Sequence, residues 1–202
     1  MSFADIAAIT IHDVKNRLAQ LAGRAEARGD KETMRIALEA ATTLSALLAF
    51  YRAESGVLAV AIDAHSPADL LAELAVSSVL PAALSIATHD TAPAVGYYDE
   101  ALVRMVLTNA LQNAQRHART RILLGAATNG DYLEFVVHDD GDGYPPAVLA
   151  DTGASAPISR EGTGLGLQLA SRVAALHSHA GRSGEVRIAN DQGALFRLRL
   201  PV

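Results

Sequence analysis

Val136-Val137-His138-Asp139-Asp140-Gly141-Asp142-Gly143-Tyr144-Pro145, followed after an irregular span by Gly162-Thr163-Gly164-Leu165-Gly166-Leu167, decides how this chain folds. The two valines, with Leu133 and Phe135 before them, predict the end of a buried strand. Asp139 stands where that strand passes into a glycine-rich turn, and a single carboxylate there can grip a base or a metal. Glycines at 141, 143, 162, 164 and 166 let backbone N–H groups come close to a ligand. The second glycine cluster opens an amphipathic helix, whose N-terminus favours anions. Strand, turn and helix start together outline a nucleotide site.

Working outward, Leu165 to His179 carries a helical pattern, and Glu185–Ala189 and Ala194–Leu200 read as a hairpin around Asp191-Gln192-Gly193. Upstream, Arg121–Ala127 and Tyr132–Val137 are strands joined by the hairpin signal Asn129-Gly130-Asp131. A long helix from Asp99 to His117 carries Leu102, Val106, Leu107, Ala110, Leu111 and Ala114. Ser66-Pro67 reads as an N-cap and first helical residue, and this helix runs to about Val79 before Pro81 stops it. Ala83–Thr88 follows as a strand and His89–Gly96 as a loop. The fold class expected over this half is α+β, with helices on one face of a mixed sheet.

The N-terminal part has a different pattern. From Phe3 to Arg28 there is no proline, and Ile11, Val14, Leu18, Leu21 and Ala25 recur at helical spacing. Gly29-Asp30 breaks the helix, and a second one starts at Lys31 with Met34, Leu38, Ala41, Leu44, Leu48 and Tyr51 on one side. Such a hairpin cannot bury both apolar stripes alone, so pairing with a second copy as a four-helix bundle is expected. The expected organisation is a hairpin over 1–56, a linker or first strand over 57–65, and an α/β sandwich over 66–202.

Composition narrows the function. Half of the 202 residues are apolar, enough for a sizeable core. A net charge of −5, with no compact Lys/Arg cluster, argues against general nucleic-acid binding. Cysteine is absent, which removes disulfides and thiolate metal sites and fits a reducing cytoplasm. No apolar run reaches the roughly 18 to 20 residues of a membrane span, and no signal sequence follows Met1. The expected location is the cytoplasm, with any outside stimulus arriving through a partner.

On the helix from Asp99, the residues Asn109, Asn113 and Arg116 share one face at i, i+4 and i+7. An amide oxygen suits Mg²⁺ and a guanidinium suits a phosphate. A solvated polar stripe would look the same in isolation. Joined to the aspartate turn and the later glycine cluster, the combination is far more specific.

Asn109–Ala118, Asp139–Gly143 and Gly162–Leu167, in that order, resemble the N, G1 and G2 boxes of the GHKL ATPases, in particular those of sensor histidine kinases of two-component systems. The resemblance covers about residues 66 to 202 and extends to Gly184-Glu185-Val186 and Leu200-Pro201. It implies that Asn113 holds Mg²⁺ and that Asn109 and Arg116 contact the phosphates of ATP, with His117 packed near the nucleotide. It further implies that Asp139 accepts the adenine amino group and that Gly141 and Gly143 shape the adenine-side turn. The run Gly162-Thr163-Gly164-Leu165-Gly166 would supply the lid hinge and the phosphate-side helix start.

The GHKL domain alone does not fix the reaction. Ile11-His12-Asp13-Val14-Lys15-Asn16-Arg17-Leu18 resembles the phosphoacceptor box of histidine kinases, with an acid after His12 and Asn16 one turn on. If Ile11, Val14 and Leu18 face the core, His12 and Asn16 share a neighbouring exposed edge. Imidazole is nucleophilic near neutral pH, and Asp13 is placed to take its proton or hold the other ring nitrogen. The resemblance implies transfer of the ATP γ-phosphate to His12 and onward to an aspartate of a response-regulator receiver domain. It also implies homodimerisation, and water orientation by Asn16 for phosphatase action on that regulator. With no sensor sequence recognised, the signal is expected from a separate sensor or scaffold protein.

Two other classes fit some of the residues. One is a phosphotransfer or phosphatase protein whose ATPase-like half is a docking platform. The other is a GHKL serine kinase or ATP-dependent interaction module. The sequence also departs from the common pattern. Arg17 stands where many phosphoacceptor boxes have proline, and the span Tyr144–Glu161 is short and lacks the phenylalanine-containing box. The remaining histidines, 65, 89, 138, 177 and 179, are expected to be structural or on the surface. His177 and His179, two apart on a helix, would not face each other as a metal pair.

Overall fold

A computed structural model describes residues 3–56, 58–78, 80, 83–89, 91–150 and 165–202. The chain divides into two compact units, Met1–Leu58 and Ala59–Val202.

The first unit is a helical hairpin of α1 (Phe3–Ala27) and α2 (Lys31–Glu54). Gly29 makes the break possible, since its φ of 68° is open to glycine at little cost. Asp30 caps the second helix: its carboxylate accepts from the Thr33 N–H at 3.0 Å and from the Thr33 hydroxyl at 2.7 Å. The hairpin's buried positions are small ones, namely Ala22, Ala25, Ala37, Ala46 and Ala49. Alanine lets two helix backbones approach closely, and the larger side chains are displaced to the flanks. Val14, Leu21, Ile36, Leu38, Leu47 and Tyr51 are therefore exposed in the single chain. The two apolar stripes are thus not fully covered within the hairpin, as the sequence reading expects, although Val14, set there on the core side, is exposed in the single chain.

The second unit is a two-layer α+β structure. Its elements are β1 (Asp63–His65), α3 (Pro67–Ser77), β2 (Ser85–Thr88), β3 (Gly96–Tyr98), α4 (Glu100–His117), β4 (Arg121–Asn129) and β5 (Tyr132–Asp139). After them come α5 (Pro146–Ala150), α6 (Leu165–Leu176), β6 (Ser178–His179), β7 (Arg182–Ser183), β8 (Glu185–Asn190) and β9 (Ala194–Pro201). The main sheet has the order β2-β4-β5-β9-β8, with β2 parallel to β4 and the other pairs antiparallel. β1 and β3 form a separate antiparallel pair.

Three differences from the sequence reading have clear causes. Gly96–Tyr98, of which Gly96 is read from sequence as the end of a loop and the two tyrosines as no element, is strand β3, too short to show an alternating pattern. Pro146–Ala150 forms one extra helical turn. The helix from Leu165 ends at Leu176 rather than His179, because His177 turns inward and its side chain takes over the chain's hydrogen bonding. His177 and His179 thus do not share a helix at all.

The core lies between the sheet and α4 with α6. Alternation along β5 sends Leu133, Phe135, Val137 and Asp139 to the same side, and all four are buried. Facing them are Val103, Val106, Leu107 and Leu111 from α4 and Leu169, Val173 and Ala174 from α6. Asp139 is therefore the polar end of an otherwise apolar row. Asp99 caps α4, accepting from the Leu102 N–H at 3.0 Å, and its other oxygen accepts from Ala61 at 2.9 Å. His177 Nε2 accepts from the Asp99 N–H at 3.0 Å while Nδ1–H donates to the Val173 carbonyl at 2.8 Å. That arrangement requires a neutral imidazole, and burial holds the His177 pKa below its ordinary value. Together these bonds tie the start of α4 to the end of α6, the two helices that flank the glycine clusters. No helix among the described residues is long and apolar enough to cross a membrane.

Candidate nucleotide-binding site

The site is built where β5 ends, α4 ends and α6 begins. Asp139 is 4% exposed, and one of its oxygens, Oδ1, accepts from the Gly141 N–H at 2.8 Å and the Ala194 N–H at 3.2 Å. Oδ2 has no donor among the described residues. Among the described residues the Tyr98 hydroxyl alone is a buried side-chain polar atom without a partner, so Asp139 Oδ2 is reached from outside and can accept from a ligand. The aspartate is thus oriented by backbone on one oxygen and open to a ligand on the other.

The neighbouring aspartates do different work. Asp140 accepts from the backbone of Arg119 (2.9 Å), Thr120 (3.0 Å) and Arg121 (3.1 Å) and from the Thr120 hydroxyl (2.6 Å). These bonds, the Thr120 hydroxyl foremost, hold its carboxyl far below the usual carboxylate range. They also pin the turn between α4 and β4 to the glycine turn. Asp142 is exposed and pairs with the Arg119 guanidinium.

The glycines are there because side chains would not fit. A Cβ on Gly141 would overlap the carbonyl oxygen of His117 at the end of α4. Gly143 has φ 84°, and a Cβ there would come within 2.7 Å of the Asn190 amide group. A Cβ on Gly166 would overlap the side-chain oxygen of Asn109. The turn after β5, the polar face of α4 and the first turn of α6 are thereby in direct register.

On α4, Asn109 and Asn113 are half-buried while Arg116 and His117 are exposed near the C-terminal end. Gly166 lies in the first turn of α6, and Leu165 is that helix's first residue. Gly162, Thr163 and Gly164 lie outside the described residues, as does 151–161 of the span between the two glycine clusters. The structure therefore brings Asn109 against Gly166, and the His117 carbonyl against Gly141. Among the described residues no three His, Cys, Asp or Glu side chains gather as a metal site. In the other unit, His12, Asp13 and Asn16 are all exposed on α1.

Sequence reasoning missed two residues here. Asn190, at the end of β8, holds the backbone of Tyr144, accepting from its N–H at 2.7 Å and donating to its carbonyl at 3.0 Å. Burial, and after it the nearby Asp139 carboxylate, push the Tyr144 phenol well above its ordinary range. Tyr144 directly follows Gly143 and was legible as a neighbour of the turn. Asn190 carried no signal, because its contact spans 46 positions.

The profile described as "Histidine kinase-, DNA gyrase B-, and HSP90-like ATPase" matches residues 98–202, more than half of the chain. The chain belongs to that family of GHKL ATPases. Its named relatives are sensor histidine kinases: the sensor protein TorS of Escherichia coli (strain K12) is 34% identical over 128 residues, 60% of this chain and 14% of TorS. The histidine-protein kinase AfsQ2 of Streptomyces coelicolor is 34% identical over 106 residues, 48% of this chain and 19% of AfsQ2. The chain thus spans under a fifth of either relative. Among solved structures, full-length ShkA in complex with AMPPNP superposes with a TM-score of 0.67 at 23% identity, covering 99% of this chain and 46% of ShkA. That likeness is one of fold.

Proposed function

We propose that the chain is an ATP-dependent protein-histidine kinase that phosphorylates itself on His12 and passes the phosphoryl group to an aspartate of a response-regulator receiver domain. The observation that carries the ATP half of the reading is the Asp139 carboxylate, buried, fixed on one oxygen and open on the other. That is the acceptor an exocyclic adenine amine needs. The glycines at 141, 143 and 166 let the adenine-side turn and the α6 start pack tightly against His117, Asn190 and Asn109, and this frame would hold the rest of the nucleotide.

In this reading Asn109, Asn113 and Arg116 line the phosphate side with Leu165 and Gly166 of the α6 start opposite, and the resemblance assigns Gly162, Thr163 and Gly164, outside the described residues, to the same ligand. The α6 N-terminus adds favourable dipole charge for the phosphates. Asn113 would hold Mg²⁺ by its amide oxygen, the ion supplying charge neutralisation across the phosphates. His117 borders the adenine-side turn through its backbone. Positioning and electrostatics then carry most of the rate, as is general for phosphoryl transfer.

The acceptor is the His12 imidazole nitrogen. A phosphorus–nitrogen bond forms there as the bond from the γ-phosphorus to its bridging oxygen breaks and ADP leaves, and the imidazole proton passes to Asp13. In the second step that phosphorus–nitrogen bond breaks and an acyl phosphate forms on the receiver aspartate. Asn16, one turn from His12, is placed to orient a water that hydrolyses the acyl phosphate. The exposed Val14, Leu21, Ile36, Leu38, Leu47 and Tyr51 support pairing of two hairpins as a four-helix bundle, since that association would cover them. A cytoplasmic location and a separate sensor or scaffold partner complete the proposal.

The test is incubation of the chain with Mg²⁺ and γ-labelled ATP. An acid-labile, base-stable label that survives His117→Gln and disappears in His12→Gln supports the kinase. ATP binding without label favours a GHKL serine kinase or interaction module. No ATP binding favours a phosphotransfer or phosphatase protein with a non-catalytic ATPase-like half.

A further inference from the structure

Asn190 lies outside every motif, on the strand next to the last in the chain, yet it makes a two-point clasp on the adenine-side turn. Its Oδ1 accepts from the Tyr144 N–H at 2.7 Å and its Nδ2 donates to the Tyr144 carbonyl at 3.0 Å. A side-chain amide used this way imitates the pair of bonds exchanged between opposite residues of antiparallel strands. It adds a tie to Tyr144 where the β5 ladder has already ended at Asp139.

Two further contacts show that the clasp belongs to the turn's geometry. Gly143, with φ 84°, passes so close to the Asn190 amide that a Cβ would sit 2.7 Å from it. At the start of β9, the Ala194 N–H donates to Asp139 Oδ1 at 3.2 Å. The β8–β9 hairpin therefore grips the turn at both of its ends, Asp139 through Ala194 and Tyr144 through Asn190. From the other side Asp140 ties the same turn to the backbone of Arg119, Thr120 and Arg121.

We infer that Asn190 is a positioning residue for nucleotide binding, which fixes the adenine-side turn between Asp139 and Tyr144 before the nucleotide arrives. This rests on the ATP-binding reading of the site. The physical content is preorganisation: a turn held at both ends loses less entropy when a ligand orders it. Each bond is at the surface and of modest net strength, so the two together set an expected loss of about three- to tenfold in affinity. The effect falls on binding and not on the phosphoryl step, because Asn190 touches the base side of the site.

The experiment compares wild type with Asn190→Ala, Asn190→Asp and Asn190→Ser by ADP titration calorimetry, by the KM for ATP and kcat of autophosphorylation, and by amide hydrogen exchange at Tyr144 without nucleotide. Asn190→Ala is expected to raise the ADP Kd and the KM together by about three- to tenfold at nearly unchanged kcat. Its Tyr144 amide should exchange faster. Asn190→Ser keeps a hydroxyl on the Tyr144 side and should fall between wild type and Asn190→Ala, a graded result that also covers the case where Asn190→Ala folds poorly, whereas in Asn190→Asp a carboxylate oxygen faces the Tyr144 carbonyl and the loss should match or exceed that of Asn190→Ala. A folded Asn190→Ala with wild-type ADP affinity, or a loss confined to kcat, overturns the inference. Wild type that binds no ADP overturns it together with the ATP reading, an outcome distinct from failure of the clasp alone.

Discussion

Asn109 and Gly166 meet side chain to backbone: the amide oxygen of Asn109 occupies the space that a β-carbon at residue 166 would need. One residue comes from the middle of α4 and the other from the first turn of α6, so this contact fixes the distance between the two helices at the proposed phosphate side. Gly166→Ala should push the Asn109 side chain away while helix propensity moves slightly in the favourable direction. The expected outcome is a melting temperature close to wild type with ADP affinity reduced about tenfold or more, read by thermal unfolding and calorimetry on the same sample.

Asp139→Asn separates the two oxygens of that residue. The amide oxygen can still accept from Gly141 and Ala194, so the turn persists, but the open acceptor becomes a donor facing the ligand. Charge-assisted bonds contribute about 1.5–3 kcal/mol, so affinity for ATP should fall roughly ten- to a hundredfold. Preference for ATP over an inosine nucleotide, which lacks the amino group, should vanish in competition binding.

His177 gives stability a pH dependence. Its folded pKa lies below the ordinary value because the neutral ring is buried, with Nε2 accepting from the Asp99 N–H; the Asp99 carboxylate opposes the shift without reversing it. The unfolded chain takes up a proton as pH falls through the ordinary histidine range, and the folded chain does so only lower down. Stability is therefore full above about pH 6.5 and declines as pH drops below it, levelling off once the lowered folded value is passed. Melting curves between pH 7.5 and 5.5 should show that decline, with a smaller slope in His177→Gln.

Arg199 holds the open face of the sheet together. It pairs with Glu134 at 2.7 Å and with Glu185, and its guanidinium stacks over the Tyr132 ring at 4.2 Å. Its side chain is only 12% exposed, as is that of Glu134, so truncation leaves Glu134 with the Asn129 amide alone, while Glu185 keeps Arg187. Arg199→Ala should lower unfolding free energy by about 1–3 kcal/mol in denaturant titration. ADP affinity should hold, since Glu134 lies five residues from Asp139 along β5, about 17 Å away.

The six exposed apolar side chains of the hairpin make an assembly prediction. Light scattering should give a dimer for wild type, and Leu21→Asp with Leu38→Asp should give a monomer that still binds ADP.

Much of this protein was legible in its sequence. Asp139, Gly141 and Gly143 stood out because a carboxylate between an apolar strand and a glycine turn has few structural uses. Asn109, Asn113 and Arg116 stood out through helical spacing, and Gly166 lies against the Asn109 side chain. Legibility failed where contacts are distant or elements short. β3 has three residues and no period to detect, and Asn190 reaches Tyr144 across 46 positions. In the hairpin, close packing places alanines at the buried positions and leaves Val14, Leu38 and Tyr51 exposed in the single chain, the incomplete burial of both stripes that their helical spacing implied.

The central claim is that the phosphoryl group ends on His12. The direct measurement is fragmentation mass spectrometry, at neutral pH, of the chain after incubation with Mg²⁺ and ATP. The account expects a single phosphoryl group on the peptide containing His12, absent when Asp139→Asn protein is incubated at the same ATP concentration below its weakened affinity. A phosphoryl group on a serine, on a threonine or on another histidine would contradict it.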